Sequence, residues 1–299
     1  MRFASIRHKD RVLPALIDDG EAVLLEDVAP DVVGIIEMGA QGLAGAKAAL
    51  ADASRARVDD FTFAAPITRF RRDVLCCGWN YWDHFEESKG KREGQDVDRP
   101  KAPTFFTKSP STVIGPYDPI AYDPGISAKW DYEAEIAIVI GKGGRSIPRA
   151  RALDHIFGIT LANDVSQRDL QRRHGGQWFK GKSIDGTMPL GPTLVTLDEI
   201  RFEDLWIECH LNGQRVQHAS TRQMAFPIDE LIAELSFGMT LYPGDVLLTG
   251  TPAGIGNARE PPVFMGEGDR VVVSADGIGR LDNTLVHMDL RGQSEVSLA

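Results

Sequence analysis

The stretch that most constrains this chain runs Trp130-Asp131-Tyr132-Glu133-Ala134-Glu135-Ile136-Ala137-Ile138-Val139-Ile140-Gly141. From Ile136 to Ile140 an extended chain is apolar on both faces, which predicts a strand covered on both sides. Glu133 and Glu135 stand two residues apart, so their side chains leave the same face close together. Two adjacent carboxylates beside a buried strand repel each other and lose hydration. Two readings fit: a solvated strand end with both glutamates in water, or a hard cation that removes both costs. A doubly covered strand also demands a large core. The 299 residues, 42% of them apolar, can supply one.

Charge and cysteines exclude several classes. Lys and Arg number 33 against 43 Asp and Glu, a net charge of −10, which argues against a nucleic-acid surface. No apolar run approaches the roughly 18–20 residues of a membrane span, and the start, Met1 to Val12, lacks a signal peptide's apolar stretch. Cys76 and Cys77 are neighbours and Cys209 stands apart, so no disulfide framework is expected and a reducing cytoplasm fits. No membrane partner is expected.

Up to about residue 28 the chain reads as short strands, with a hairpin turn at Asp18-Asp19-Gly20. Residues 31–53 read as helix interrupted by glycine, and Phe63 to Ile67 as an extended linker. A boundary is placed near residue 70, giving a small N-terminal domain (1–70) and a catalytic domain (71–299). In the second part, Asn212-Gly213 and Asp276-Gly277 mark two further hairpins. Ile228, Leu231, Ile232 and Leu235 after Pro227 mark an amphipathic helix. Without a βαβ rhythm, the expected class is α+β and β-rich.

A second apolar strand, Ile156 to Ala162, ends in Asn163-Asp164. Asp164 there is either a ligand or the N-cap of a helix over 165–173. Three carboxylates without paired Cys or His point to Mg²⁺ or Mn²⁺ rather than Zn²⁺. His84 and Glu87 lie at i and i+3 of a short helix over 81–88 and face the same way. The carboxylate would orient the imidazole as a general base; a surface pair is the other reading. Residues 89–99, polar and glycine-bearing, are either a surface loop or an active-site lid.

Gly176 to Ser183 satisfies the pattern G-x-x-x-x-G-K-S, yet no strand precedes it and Met188-Pro189 follows, so it is not a phosphate loop. Its Lys182 remains an isolated cation able to grip an anionic group. The glycine-rich turn after Val246-Leu247-Leu248 either exposes amides to an oxyanion or simply connects sheets.

Taken in order, these segments resemble the fumarylacetoacetate hydrolase family over residues 73–287. The motifs are Gly78-Trp79-Asn80-Tyr81-Trp82-Asp83-His84, Phe106-Thr107-Lys108, Asp131-Tyr132-Glu133-Ala134-Glu135, Asn163-Asp164, Gly181-Lys182-Ser183, Pro243-Gly244-Asp245 and Thr249-Gly250-Thr251-Pro252. The resemblance implies a mixed β-sandwich and β-roll catalytic domain, a small N-terminal domain, a homodimer and Mg²⁺ (or Mn²⁺). It implies Glu133, Glu135 and Asp164 as metal ligands in a three-carboxylate subgroup, and His84 with Glu87 as the water-activating pair. Lys182 would be catalytic, and Arg168, Gln171 and Thr251 would bind substrate. Arg172 and Arg173 could supply a second carboxylate contact.

The activity expected first is hydrolysis of a C–C bond in a small anionic β-diketo acid such as an acylpyruvate, with Lys182 and the Thr251 turn stabilising the oxyanion. A 2-oxo acid lyase or isomerase, of the oxaloacetate decarboxylase or 2-hydroxydienedioate isomerase type, uses the same chelation without water attack. A metal-stabilised binding protein is the non-catalytic alternative.

Overall fold

A computed structural model describes residues 1–52, 55–91 and 97–292. Its centre is a 12-stranded, mostly antiparallel sheet, so the fold is α+β and β-rich. The strand Ala134–Ile140 pairs antiparallel with Ile156–Asn163 on one side and with Val246–Leu248 on the other. Outward from there, Ile156–Asn163 is followed by Met188–Thr196, and Val246–Leu248 by Val74–Gly78 and Thr104–Lys108. A second, five-stranded sheet comprises Gln214–Ser220, Trp206–Leu211, Arg270–Ala275, Gly279–His287 and Ile120–Tyr122.

The two apolar faces of Ala134–Ile140 have separate partners. Ile136, Ile138 and Ile140 belong to a core shared with Ile207, Cys209, Val271, Val273 and Leu281 of the second sheet. Ala137 and Val139 belong to another, shared with Val32, Val33, Ile35 and Ile36 of the helix Val32–Glu37. Each fully buried isoleucine contributes about 1.5–3 kcal/mol. The strand is thus a buried beam whose N-terminal end carries the two glutamates.

The N-terminal strands continue the central sheet, because Arg2–His8 pairs with Met188–Thr196 through Arg2↔Val195 and Phe3↔Leu194. The expected linker is partly a strand: Thr62–Ala64 pairs antiparallel with Arg2–His8, since its apolar residues cover Ile6 and Ala4. The helical stretch splits into Val32–Glu37 and Ala40–Asp52, broken at Gly39. The Asp18-Asp19-Gly20 and Asn212-Gly213 turns form as expected, with left-handed Asp19, Gly20, Asn212 and Gly213. Cys76, Cys77 and Cys209 are buried free thiols. Among the described residues no helix is long and apolar enough to cross a membrane.

Candidate active site

Glu133, Glu135 and Asp164 converge where Ala134–Ile140 begins and its neighbour Ile156–Asn163 ends. Antiparallel pairing places those two ends side by side, with Ala134 opposite Asn163. One carboxylate oxygen from each residue lies within 4.8 Å of the others, and all three residues are buried. Asn163 Oδ1 accepts from the Glu133 amide at 3.0 Å, and the Asp164 amide donates to the Glu133 carbonyl at 2.8 Å. The backbone therefore fixes the trio's spacing.

Three buried cations face them. Lys182 Nζ donates to Glu133 Oε2 at 2.5 Å and to Asp164 Oδ2 at 2.7 Å. Lys108 Nζ donates to Asp164 Oδ1 at 2.8 Å and to the Val165 carbonyl at 2.9 Å. Arg168 reaches Glu133 Oε1 at 2.6 Å and Asp131 Oδ2 at 2.8 Å. Counting Asp131, four carboxylates meet three cations, which leaves one negative charge unbalanced.

The imbalance falls on Glu135. Burial, then Asp164 and Glu133, push its carboxyl well above the usual range. Burial also pushes Glu133 up, but Lys182 and Arg168 outweigh it and hold the group down at about 2. Burial would lower Lys182, yet Asp164 and Glu133 raise it, so it stays a firm ammonium ion.

This donor set suits a divalent cation. All donors are hard carboxylate oxygens, they are buried and convergent, and their excess charge is held by a lysine and a proton, both of which a cation can replace. Glu135 must lose its proton when a cation enters. We expect Mg²⁺ affinity to rise with pH up to the raised Glu135 value, with about one proton released per ion bound. Calorimetric titration in two buffers of different ionisation enthalpy reads that proton directly; a buffer-independent heat would contradict it.

His84 lies in the helix Trp82–Glu87, and the helix turn brings Glu87 beside it. His84 Nδ1 and Glu87 Oε1 are 2.9 Å apart, and the Gly254 amide donates to Glu87 Oε2 at 2.8 Å. A carboxylate already accepting from an amide fixes the imidazole with its proton on Nδ1, leaving Nε2 as the exchangeable nitrogen. His84, Glu133, Glu135, Lys182, Gln171 and Thr251 share one cavity of about 40 Å³.

Several expectations need revision. Asp164 is not a helix cap: the helix is Arg168–Arg173 with Gln167 before it, and both Asp164 oxygens are held by lysines. Arg168 lines the cavity, but its guanidinium is bonded to Asp131, Glu133 and, at 3.1 Å, Gln171 Oε1. Arg172 Nη2 donates to the Lys91 carbonyl at 2.8 Å, and Arg173 is exposed.

Four amides of the glycine-rich turn are already committed to carboxylates. Gly250 donates to Glu135, Gly254 to Glu87, and Gly256 and Asn257 to Asp131. Thr251 lines the cavity while its hydroxyl donates to the Ala134 carbonyl at 3.0 Å and accepts from Gln217 Nε2 at 2.8 Å. Of the proposed lid, residues 92–96 lie outside the described residues.

Sequence reasoning quoted Lys108 and Asp131 within motifs but gave them no role, and it missed Gln217. A lysine closing the strand Thr104–Lys108 and an aspartate between Trp130 and Tyr132 are polar residues in buried surroundings, which was the available signal. Gln217 gave none, because it comes from the second sheet.

A buried carboxylate trio that could hold a hard cation thus stands beside a histidine–glutamate pair at one end of a doubly covered strand. The chain belongs to the fumarylacetoacetate hydrolase family: residues 73–286 match its C-terminal domain. It is 38% identical over 306 residues to oxaloacetate tautomerase YisK of Bacillus subtilis, covering 95% of this chain and 100% of that protein. It is 44% identical over 260 residues to the mitochondrial oxaloacetate tautomerase Fahd2a of Rattus norvegicus, covering 85% and 79%. A fumarylacetoacetate hydrolase from psychrophilic Exiguobacterium antarcticum superimposes with a TM-score of 0.84 at 36% identity, covering 96% and 100%. Other similar structures include isomerases and hydrolases.

Proposed function

We propose that this protein is a divalent-metal-dependent tautomerase that interconverts the enol and keto forms of a small 2-oxo dicarboxylic acid, with oxaloacetate as the reference substrate. The observation that carries the reading is one exchangeable histidine nitrogen and one buried ammonium in the same small cavity as Glu133 and Glu135, with Asp164 bonded to that ammonium behind them. Two relatives bearing the tautomerase name support the same substrate class.

Glu133, Glu135 and Asp164 would hold Mg²⁺ or Mn²⁺. Once bound, the ion supplies Lewis acidity toward a chelating 2-oxo carboxylate and so favours its enolate. The chain's own groups move the proton. His84 Nε2 takes it from C3, and Glu87 steadies the imidazolium this creates. The electron pair shifts to the 2-oxo oxygen, where Lys182 Nζ meets the growing negative charge. The His84 imidazolium then gives that proton to the oxygen, which restores the neutral imidazole and completes the transfer, and the reverse order returns the keto form.

Hydrolysis of an acylpyruvate is the second reading. It is favoured by the His84–Glu87 pair, because the same nitrogen can activate water. The enol absorbance of oxaloacetate, followed with and without Mg²⁺, together with carboxylic acid release from acylpyruvates, separates the two. The tautomerase reading expects accelerated enol decay without carbon dioxide or acid release, falling about 10²–10⁴-fold in His84→Ala. Acylpyruvate cleavage with enol decay at the buffer rate would overturn it.

A further inference from the structure

Three aromatic rings separate the catalytic cavity from a larger neighbour. Trp79, Phe106 and Trp178 line the inner cavity of about 40 Å³, and the same three line an outer chamber of about 360 Å³. The rings interlock edge to face, with Trp178 4.9 Å from Trp79 and 5.1 Å from Phe106 between centroids. They arrive on separate pieces of chain. Trp79 follows the strand Val74–Gly78, Phe106 lies on the neighbouring strand Thr104–Lys108, and Trp178 precedes the turn that carries Lys182.

Two features show that the wall is held in place. Trp79 has φ of +55°, a conformation that bulky side chains adopt only when their surroundings impose it. A methyl group added at Gly78 would strike the Trp178 ring first, so the glycine is what lets the indole lie against the strand. On its inner side the wall meets the catalytic charge, with Lys182 Nζ 5.2 Å from the centre of the Phe106 ring. On its outer side the chamber is lined by Val97, Thr104, Phe105, Gly176 and Gln177, with no charged side chain among the described lining residues.

We infer that the Trp79–Phe106–Trp178 wall sets substrate length at this site, confining it to compact 2-oxo diacids and shutting off a ready-made apolar subsite for a larger distal group. The argument rests on the tautomerase reading for its substrate pair, but the wall itself is read by binding. Oxaloacetate and phenylpyruvate share the 2-oxo carboxylate and an enolisable C3. They differ in the distal group, a carboxylate against a phenyl ring. Beyond the wall the outer chamber offers about 360 Å³ against about 40 Å³ within, so the larger distal group is the one that opening the wall should favour.

The test compares the full chain with Trp178→Ala and, as an independent opening of the same wall, Phe106→Ala, each with saturating Mg²⁺. The expected result is a rise of about tenfold or more in the phenylpyruvate-to-oxaloacetate ratio of kcat/KM in both variants, the scale on which an apolar pocket discriminates. The phenylpyruvate-to-oxalate ratio of binding constants, measured by calorimetry, should rise in parallel. If the parent turns over neither acid, the tautomerase reading fails, while the binding ratio still decides the wall. The inference is overturned if folded variants keep the parent's binding ratio within about twofold, or if the parent already binds phenylpyruvate as tightly as oxalate.

Discussion

A Glu135→Gln variant will lose the metal-dependent reaction and yet, without metal, melt at a higher temperature than the parent. The activity loss follows from removing one of three hard-oxygen charges that define the cation site, and we expect more than about a hundredfold. The stability gain follows from the raised Glu135 carboxyl. The unfolded chain ionises this group near pH 4 whereas the folded one resists, so neutral pH favours the unfolded state at this residue. Glutamine removes that penalty and keeps an oxygen for the Gly250 amide, which now donates at 2.6 Å. Each kcal/mol relieved raises the midpoint by about 2–4 °C. The sign can be checked within the same experiment, because the advantage must shrink to nothing as pH falls below about 4, where the parent's unfolded form is also protonated. Mg²⁺ should stabilise the parent by mass action and leave the variant unmoved. A variant that melts lower at neutral pH would show that Glu135 is not the strained member of the trio.

Lys182→Met is expected to act in the opposite direction. It strips Glu133 and Asp164 of a shared, fully buried partner, and breaking such a pair from one side costs about 3–5 kcal/mol. Arg168 on Glu133 and Lys108 on Asp164 remain, which argues for the lower part of that range. Mg²⁺ should recover much of this stability, since it supplies the missing positive charge. It should not recover the rate, because no other ammonium lines the cavity. Chemical denaturation with and without Mg²⁺, alongside enol decay, reads both. Full recovery of rate as well as stability would reduce Lys182 to a charge filler.

The doubly apolar run Ile136 to Ile140 announced a covered strand, and its two covers are the second sheet and an N-terminal helix. Glu133 and Glu135 could be paired from the sequence because alternate strand residues share a face, while Asp164 joined them as a ligand through the family resemblance. His84 and Glu87 could be paired because residues three apart on a helix also share a face. What escaped was whatever depended on how distant segments meet. The turn at 250–257 left two readings open, an oxyanion site or a plain connection, whereas four of its amides bond to Glu135, Glu87 and Asp131. Asp164 could be read as a ligand or as a helix cap because a helix was expected to start at 165, whereas the helix starts at Arg168 and the partners of Asp164, Lys108 and Lys182, come from a strand and a turn elsewhere. Phe63 to Ile67 read as a linker because it is short and ends beside a proline, but part of it completes a sheet edge. Pairing across long sequence separations is chosen by the whole fold, and no local pattern carries it.

That turn has a consequence for how this scaffold can change. One short piece of backbone simultaneously ties down the proton-transfer pair through Gly254, a carboxylate of the trio through Gly250, and the arginine's anchor, Asp131, through Gly256 and Asn257. Gly254 sits at φ +110°, where a side chain would run into the Val216 carbonyl, so even a small substitution there displaces all of them together. A segment that answers to so many masters is a poor place for gradual adaptation. Diversification toward new substrates would have to come from elsewhere around the cavity, such as the wall of Trp79, Phe106 and Trp178.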